Sequence, residues 1–321
     1  MKTILKQGAL VLIFATLASP LLAQKTVREY VENTDNEKIK KKIVMTPGNY
    51  PQTAGSYGDG HGINPLLTSR SQLPDTVALI SFHIYDIGTE HHINNVSITY
   101  YSLTADGANV IATNMLQAMI GRLKEAFRRQ GCVLLTPDEF LSTPEKKEAY
   151  YSFEPSLSKL GKFLSGIETK NRDIAVWPAG YRAFDISAAN DFLRAESLGG
   201  DLAEKLGVGG TLSIAAELMT DKKNVNMNGL KMVLHGPNPV PREDKKYVSQ
   251  NMGAGYYRGQ IYAGGYFYFD KPLQIARIEK KKLEGLQADF GGLEVISELF
   301  IQKFYEKMHE CIEKAAAKYK K

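Results

Sequence analysis

The sequence predicts an α/β (α+β) protein: a mixed β-sheet packed by helices, with a long C-terminal helix and an extended N-terminal arm. Three observations carry this reading. Val77 to Ile84 runs Val-Ala-Leu-Ile-Ser-Phe-His-Ile, largely apolar on both alternating sets, as for a strand covered on both faces. Two long segments, about Ala108–Gln130 and Ala288–Tyr319, repeat apolar residues at three- to four-residue spacing. Helical phrases that end in Gly131 and Gly207 lead into short apolar runs, as a left-handed glycine cap followed by a strand would. With 321 residues, 43% hydrophobic and 23% charged, the chain is not collagen-like, low-complexity or wholly disordered.

Met1–Ala23 reads as a secretory signal peptide. Lys2 and Lys6 precede an uncharged apolar run from Gly8 to Ala18. Pro20 breaks that run, and the small Ala23 precedes Gln24 as a cleavage site. The run is shorter than the about 20 apolar residues of a spanning helix, and no later stretch reaches that length uncharged. Cleavage after Ala23 removes two lysines and no acid, which lowers the net charge from +5 to +3. So mild a charge on an exported chain argues against nucleic acid as partner. The expected location is periplasmic or secreted, with outer-membrane association open and no transmembrane helix after cleavage.

Residues 24–76 are expected to form an extended polar arm that lies over the domain or reaches a partner. They hold a lysine cluster (Lys38, Lys40, Lys41, Lys42), a Pro47-Gly48 turn and a glycine group around Gly58-Asp59-Gly60-His61-Gly62. Residues 77–321 are expected to be a single domain with insertions around 85–103, 150–190 and 236–258. Within it, Ile111, Met115, Ala118, Met119, Leu123, Ala126 and Phe127 make the buried stripe of the first long helix. Cys132–Leu135 is a short second strand, stopped by Pro137, with Asp138 and Glu139 at a helix start. Glu154–Leu164 is a further short helix, and Trp177-Pro178 lies in a strand-and-turn excursion. Asp191–Leu206 reads as a helix that Gly199-Gly200 interrupts and Gly207 closes. Thr211–Met219, Asn228–His235, Gln260–Phe269 and Leu273–Glu279 read as strands. The closing helix carries Leu293, Ile296, Leu299, Phe300, Phe304, Met308, Cys311 and Ile312 on one face.

No phrase in the chain specifies an enzyme. The glycine group lacks the lysine and hydroxyl of a phosphate loop, and Ser156-Leu157-Ser158-Lys159 lacks its companion motifs. Glu243-Asp244 looks like a loop pair. The strongest binding candidate is the tyrosine- and glycine-rich stretch with Tyr256, Tyr257, Tyr262, Tyr266 and Tyr268, since tyrosine offers a flat apolar face and a hydroxyl. The competing reading is a hairpin with Phe267 and Phe269 in the core and Tyr266 and Tyr268 outward. His83, Asp86 and His91 are the weak candidates for a metal, and no cofactor is expected. Cys132 and Cys311 are the only cysteines; two free thiols and one disulfide are both compatible with an exported chain.

The order strand, helix, strand, helix, strand, strand, strand, helix accompanies two local phrases. Val77–Phe82 precedes the helix that ends in Gly131-Cys132-Val133-Leu134-Leu135. Later, Leu202-Ala203-Glu204-Lys205-Leu206-Gly207-Val208 runs straight into Thr211–Glu217. This resembles the periplasmic α/β module of the curli-secretion lipoprotein family and of the amino-terminal domain of TolB-like proteins. The chain has no cysteine at its mature start, and Met252–Phe269 alternates poorly and holds five glycines, so no pore is implied. The resemblance implies a non-catalytic envelope module that assembles with or binds an envelope protein or itself. The alternatives are a glycan- or small-ligand-binding module, or an exported hydrolase of unrecognised motif.

Overall fold

The computed structural model describes residues 25–45, 63, 66–86, 89–93, 96–100, 105–154, 174–184, 196–220, 224–239, 258–279 and 282–319. The signal segment, the glycine group, Ser156–Lys159, Glu243-Asp244, Tyr256 and Tyr257 lie outside them. The architecture is a mixed sheet with helices on both faces, the α/β class expected.

In chain order the elements are α1 (Val27–Glu32), α2 (Asn36–Lys42), β1 (Val44–Met45), β2 (Thr76–Asp86), β3 (Thr89–Ile93), β4 (Val96–Tyr100), α3 (Ala105–Arg129) and β5 (Val133–Leu135). Then come α4 (Pro137–Phe140), α5 (Pro144–Tyr151), β6 (Ile174–Val176), a π-helical turn at Glu196–Leu202, α6 (Ala203–Leu206), β7 (Gly210–Thr220), β8 (Asn224–Pro237), β9 (Gly259–Glu279), β10 (Lys282–Ala288) and α7 (Leu293–Tyr319). The main sheet runs β1–β9–β8–β7–β2–β5, with β10 also on β9 and β6 also on β2. Central β2 is parallel to β5 and β7, and the other pairings in this sheet are antiparallel. β3 and β4 pair with each other as a separate hairpin.

Both faces of β2 are buried, for two different reasons. Val77, Leu79, Phe82 and Ile84 join the large core under α3 and α7, together with Leu212, Ile214, Met232, Leu234 and Phe267. The helices supply the stripes read from their periodicity: Ile111, Met115, Met119, Leu123 and Phe127 from α3, and Ile296, Phe300, Phe304 and Met308 from α7. Ala78 and Ile80 face the other way, onto Phe140, Tyr150, Phe153, Phe184, Leu198, Leu202 and Leu206. The register of β2 against β7 shifts between Leu79 and Ser81. The Tyr150 hydroxyl donates to the Ile80 carbonyl at 2.6 Å, which satisfies a buried backbone acceptor at that irregularity.

Gly131 and Gly207 sit at φ +77° and +68°, so each closes its helix in the left-handed region that only glycine enters without cost. Thr136 forms a capping box with Glu139 at the start of α4. The helix that starts at Asp138 and Glu139 is short, and a second, α5, follows after a break at Leu141–Thr143.

The arm differs most from expectation. Residues 25–45 are not extended; they form two short helices and a strand docked on the domain. Val27, Ile39, Ile43 and Met45 are buried in the large core. Thr26 and Asp35 cap the two helices through their side chains. Lys38 and Lys41 are solvated, but Lys40 pairs with Glu306 at 2.9 Å and Lys42 with Asp270 at 2.5 Å. Arg28 grips both oxygens of Asp289 at 2.9 Å. Lys303 of α7 donates to the carbonyls of Lys40 and Ile43 at 2.9 and 2.5 Å, capping the C-terminus of α2. β1 pairs with Tyr266 and Gly265, and Ile63 bridges to Ala263, so the segment covers the outer edge of β9. A covered edge cannot template pairing with another chain.

The two cysteines are free thiols: Cys132 is buried at the start of β5 and Cys311 half-buried on α7. The disulfide reading is therefore not realised in this structure. Among the described residues, no helix is long and apolar enough to cross a membrane.

Candidate functional site

The sheet face away from α3 and α7 can be read row by row from its register. Ser81, Ser213, Val233 and Gly264 stand in one row. His83, Ala215, Lys231 and Tyr266 make the next, and Tyr85, Glu217, Gly229 and Tyr268 the one beyond. Alternation puts their side chains on the same face. The pattern therefore includes polar and charged groups where the other face is apolar.

The first row and His83 of the next are interior. Ser81, His83 and Ser213 are fully buried. His83 Nδ1 lies 3.0 Å from the Ser81 oxygen, and the same oxygen accepts from the Phe184 amide at 3.0 Å. The Tyr85 ring meets His83 edge-on with centroids 4.7 Å apart. His83 is thus an interior histidine held by its own strand. Asp86 lies further along β2 and His91 on β3; their side chains are outside the description. Among the described residues, no three His, Cys, Asp or Glu side chains group as metal ligands do.

The far row reaches solvent through Tyr268, while Gly229 is buried and Tyr85 and Glu217 are half-buried. Tyr268 is 47% exposed. Its hydroxyl donates to Glu217 Oε2 at 3.3 Å, and Asn228 Nδ2 donates to Glu217 Oε1 at 3.0 Å. Partial burial, and then the Glu217 carboxylate, push the Tyr268 hydroxyl up to about 12, so it keeps its proton and acts as a donor. Tyr266 is half-buried, its ring 5.2 Å from that of Tyr268 at 50°. Phe267 and Phe269 point into the core, as the hairpin reading required. Tyr262 does not join this surface. It is buried, and its hydroxyl donates to the Pro237 carbonyl at 2.7 Å. The register skips from His235–Ile261 to Leu234–Ala263, so Tyr262 is the extra residue of a bulge. Its ring fills the space above Gly236, where a Cβ would fall 2.5 Å from a ring carbon.

A second feature lies at the β6 edge. Trp177, the chain's only tryptophan, is 41% exposed. Its backbone is tied down from two helices. Asn109 of α3 donates to the Trp177 carbonyl at 2.6 Å, and Tyr151 of α5 donates to the Gly180 carbonyl at 3.2 Å. Arg182 anchors the same loop by donating to the carbonyls of Tyr150 and Phe153 at 2.8 and 2.5 Å. Trp177 is presented outward on a backbone that is fixed beforehand.

A cleft of about 640 Å³ lies between Phe153, the π-helical turn and Arg258. Arg258 is already paired with Asp201 at 2.8 Å and with Glu204. The Lys205 ammonium sits 5.7 Å from the Phe153 ring centroid. Acidic and basic groups in the cleft therefore neutralise one another.

Trp177 was legible only as part of a turn, while Glu217 and Asn228 carried no motif. The one sequence signal for the latter is Asn228-Gly229, a turn dipeptide inside a strand, which marks a bulge. No family model, no curated protein and no solved structure matches this chain.

Proposed function

We propose that this is an exported, non-enzymatic cell-envelope protein that works as a protein-binding or assembly module. The observation that supports it is the Trp177 loop. A half-exposed tryptophan on a backbone held by Asn109, Tyr151 and Arg182 loses little freedom on binding, and tryptophan is the residue type that most often dominates an interface. Tyr151, 51% exposed, holds that loop and adds a second amphipathic ring. The leader-like Met1–Ala23 and the resemblance to periplasmic α/β modules support the location and the non-catalytic role.

The test is photo-crosslinking in intact cells, with benzoylphenylalanine in place of Trp177 and, as control, in place of exposed Lys314 on α7. The reading expects a discrete adduct, with one envelope protein or a second copy, from position 177 and none from position 314. Cytosolic residence, or no adduct from position 177 in protein that stays monomeric, overturns it.

A further inference from the structure

We infer that the surface around Tyr268 is a second, separate binding site, for a neutral hydroxyl-rich sugar chain. The argument starts from the strand irregularity. Gly229 pairs with Tyr268, but the next pairing along β8 is Met227 with Leu273. One residue of β8, Asn228, thus stands against four of β9. The register of β7 against β8 also shifts here, between Glu217 and Leu218. Such bulges re-aim side chains and are frequent beside binding sites. Here the bulge brings the Asn228 amide onto Glu217, and Tyr268 reaches the same carboxylate from the other strand.

The second observation is Gly229. A Cβ there would fall 2.4 Å from Tyr268 Cδ1 and 2.5 Å from the Phe267 carbonyl oxygen. The Tyr268 ring therefore lies over the bare backbone of β8 rather than standing among side chains, and it is still nearly half-exposed. Tyr266 adds a second ring 5.2 Å away. The result is an aromatic shelf with a carboxylate and an amide at its rim.

The chemistry selects the ligand. A pyranose has an apolar C–H face that packs on an aromatic ring, and hydroxyls around its edge that donate to a carboxylate. Each Glu217 oxygen accepts one described bond, which leaves lone pairs for such donors. The retained proton on Tyr268 adds no second negative charge beside Glu217. Glu217 and Lys231, the neighbour of Tyr266 across the strand pair, bear opposite charges, so a ligand charge of either sign meets one repulsion for each attraction, and an uncharged polyol meets neither.

The test uses the chain from Gln24 onward on an array of immobilised oligosaccharides, followed by calorimetry with the best-retained soluble oligosaccharide. The expected result is binding that Tyr268→Ala weakens about tenfold or more, in line with loss of an aromatic contact. Tyr268→Phe keeps the shelf and is expected to stay within about threefold, while Glu217→Gln weakens binding and Trp177→Ala leaves it unchanged. Circular dichroism melts establish that each variant is folded. No retention of any oligosaccharide, retention only of charged sugars or of a control peptide, or a Tyr268→Ala variant that binds as wild type would overturn the inference. Because the Trp177 variant is expected to lose protein adducts and keep sugar binding, failure of either site is seen independently of the other.

Discussion

His235 makes the stability of this fold depend on pH in a way that can be calculated. It lies on β8, 1% exposed, opposite Thr211 on β7 and Ile261 on β9. One ring nitrogen faces the Thr211 backbone, while Nδ1 is buried with no hydrogen-bond partner. A second proton would place an unpaired charge in the interior, with Lys231 adding repulsion. Burial, with that repulsion, pushes the imidazole down from 6.5 to about 3. The unfolded chain takes up the proton first, so the group's contribution is fully present above pH 6.5 and declines as pH falls toward 3. The slope approaches about 1.4 kcal/mol per pH unit, or about 3 kcal/mol between pH 6.5 and pH 4. That is a large part of a typical domain's 5–15 kcal/mol. The perturbation is His235→Gln, which keeps a donor toward Thr211 and has no titrating nitrogen. Urea unfolding of both proteins at half-unit intervals from pH 7 to pH 4 gives the difference curve. Carboxylates held low by arginines, such as Glu125 beside Arg128 and Arg129 and Asp289 beside Arg28, act equally in both and cancel. A constant offset from the substitution itself is expected; parallel curves across the range would refute the reasoning.

Three further outcomes follow from the same geometry. Lys303→Met removes the charged donor from the carbonyls of Lys40 and Ile43, and is expected to destabilise the docked segment 25–45 by about 2 kcal/mol. Hydrogen exchange should then show faster opening of α1 and α2 with little change in β7. Gly199→Ala would drive a Cβ to 2.4 Å from the Gly236 carbonyl oxygen, backbone against backbone, and should cost about 2 kcal/mol in denaturant unfolding, whereas Gly121→Ala, with open space around it, should be neutral or slightly stabilising. Burial pushes the Cys132 thiol up to about 11, so iodoacetamide at pH 8 should label half-buried Cys311 well before Cys132; equal rates would contradict the placement.

The elements legible in the sequence were those whose burial follows a single period. α3 and α7 repeat every three to four residues over more than twenty, and β2 is apolar on both sets. The arm was not legible. α1 and α2 have six and seven residues, below the length at which a helix stands alone, and each buries only one residue of its own. Their helicity comes from docking on α7 and β9, a fact of tertiary structure. The π-helical turn was read as an interruption at Gly199-Gly200. What the sequence could not show is that both glycines lie against backbone, Gly199 against Gly236 and Gly200 against Arg258 and Gly259. Among the tyrosines, alternation correctly sent Tyr266 and Tyr268 outward. Tyr262, grouped with them as a binding candidate, is instead buried, because a bulge resets the alternation and nothing local in the strand announces it.

The emission of the chain's single tryptophan tests the central claim most directly. In the isolated monomer, Trp177 should fluoresce as a partly hydrated indole that acrylamide quenches readily. When the partner captured through position 177, or a second copy at high concentration, is added, the emission should shift to the blue and become shielded, with Tyr151→Ala weakening the effect. Complex formation that leaves the emission and its quenching unchanged would contradict the account.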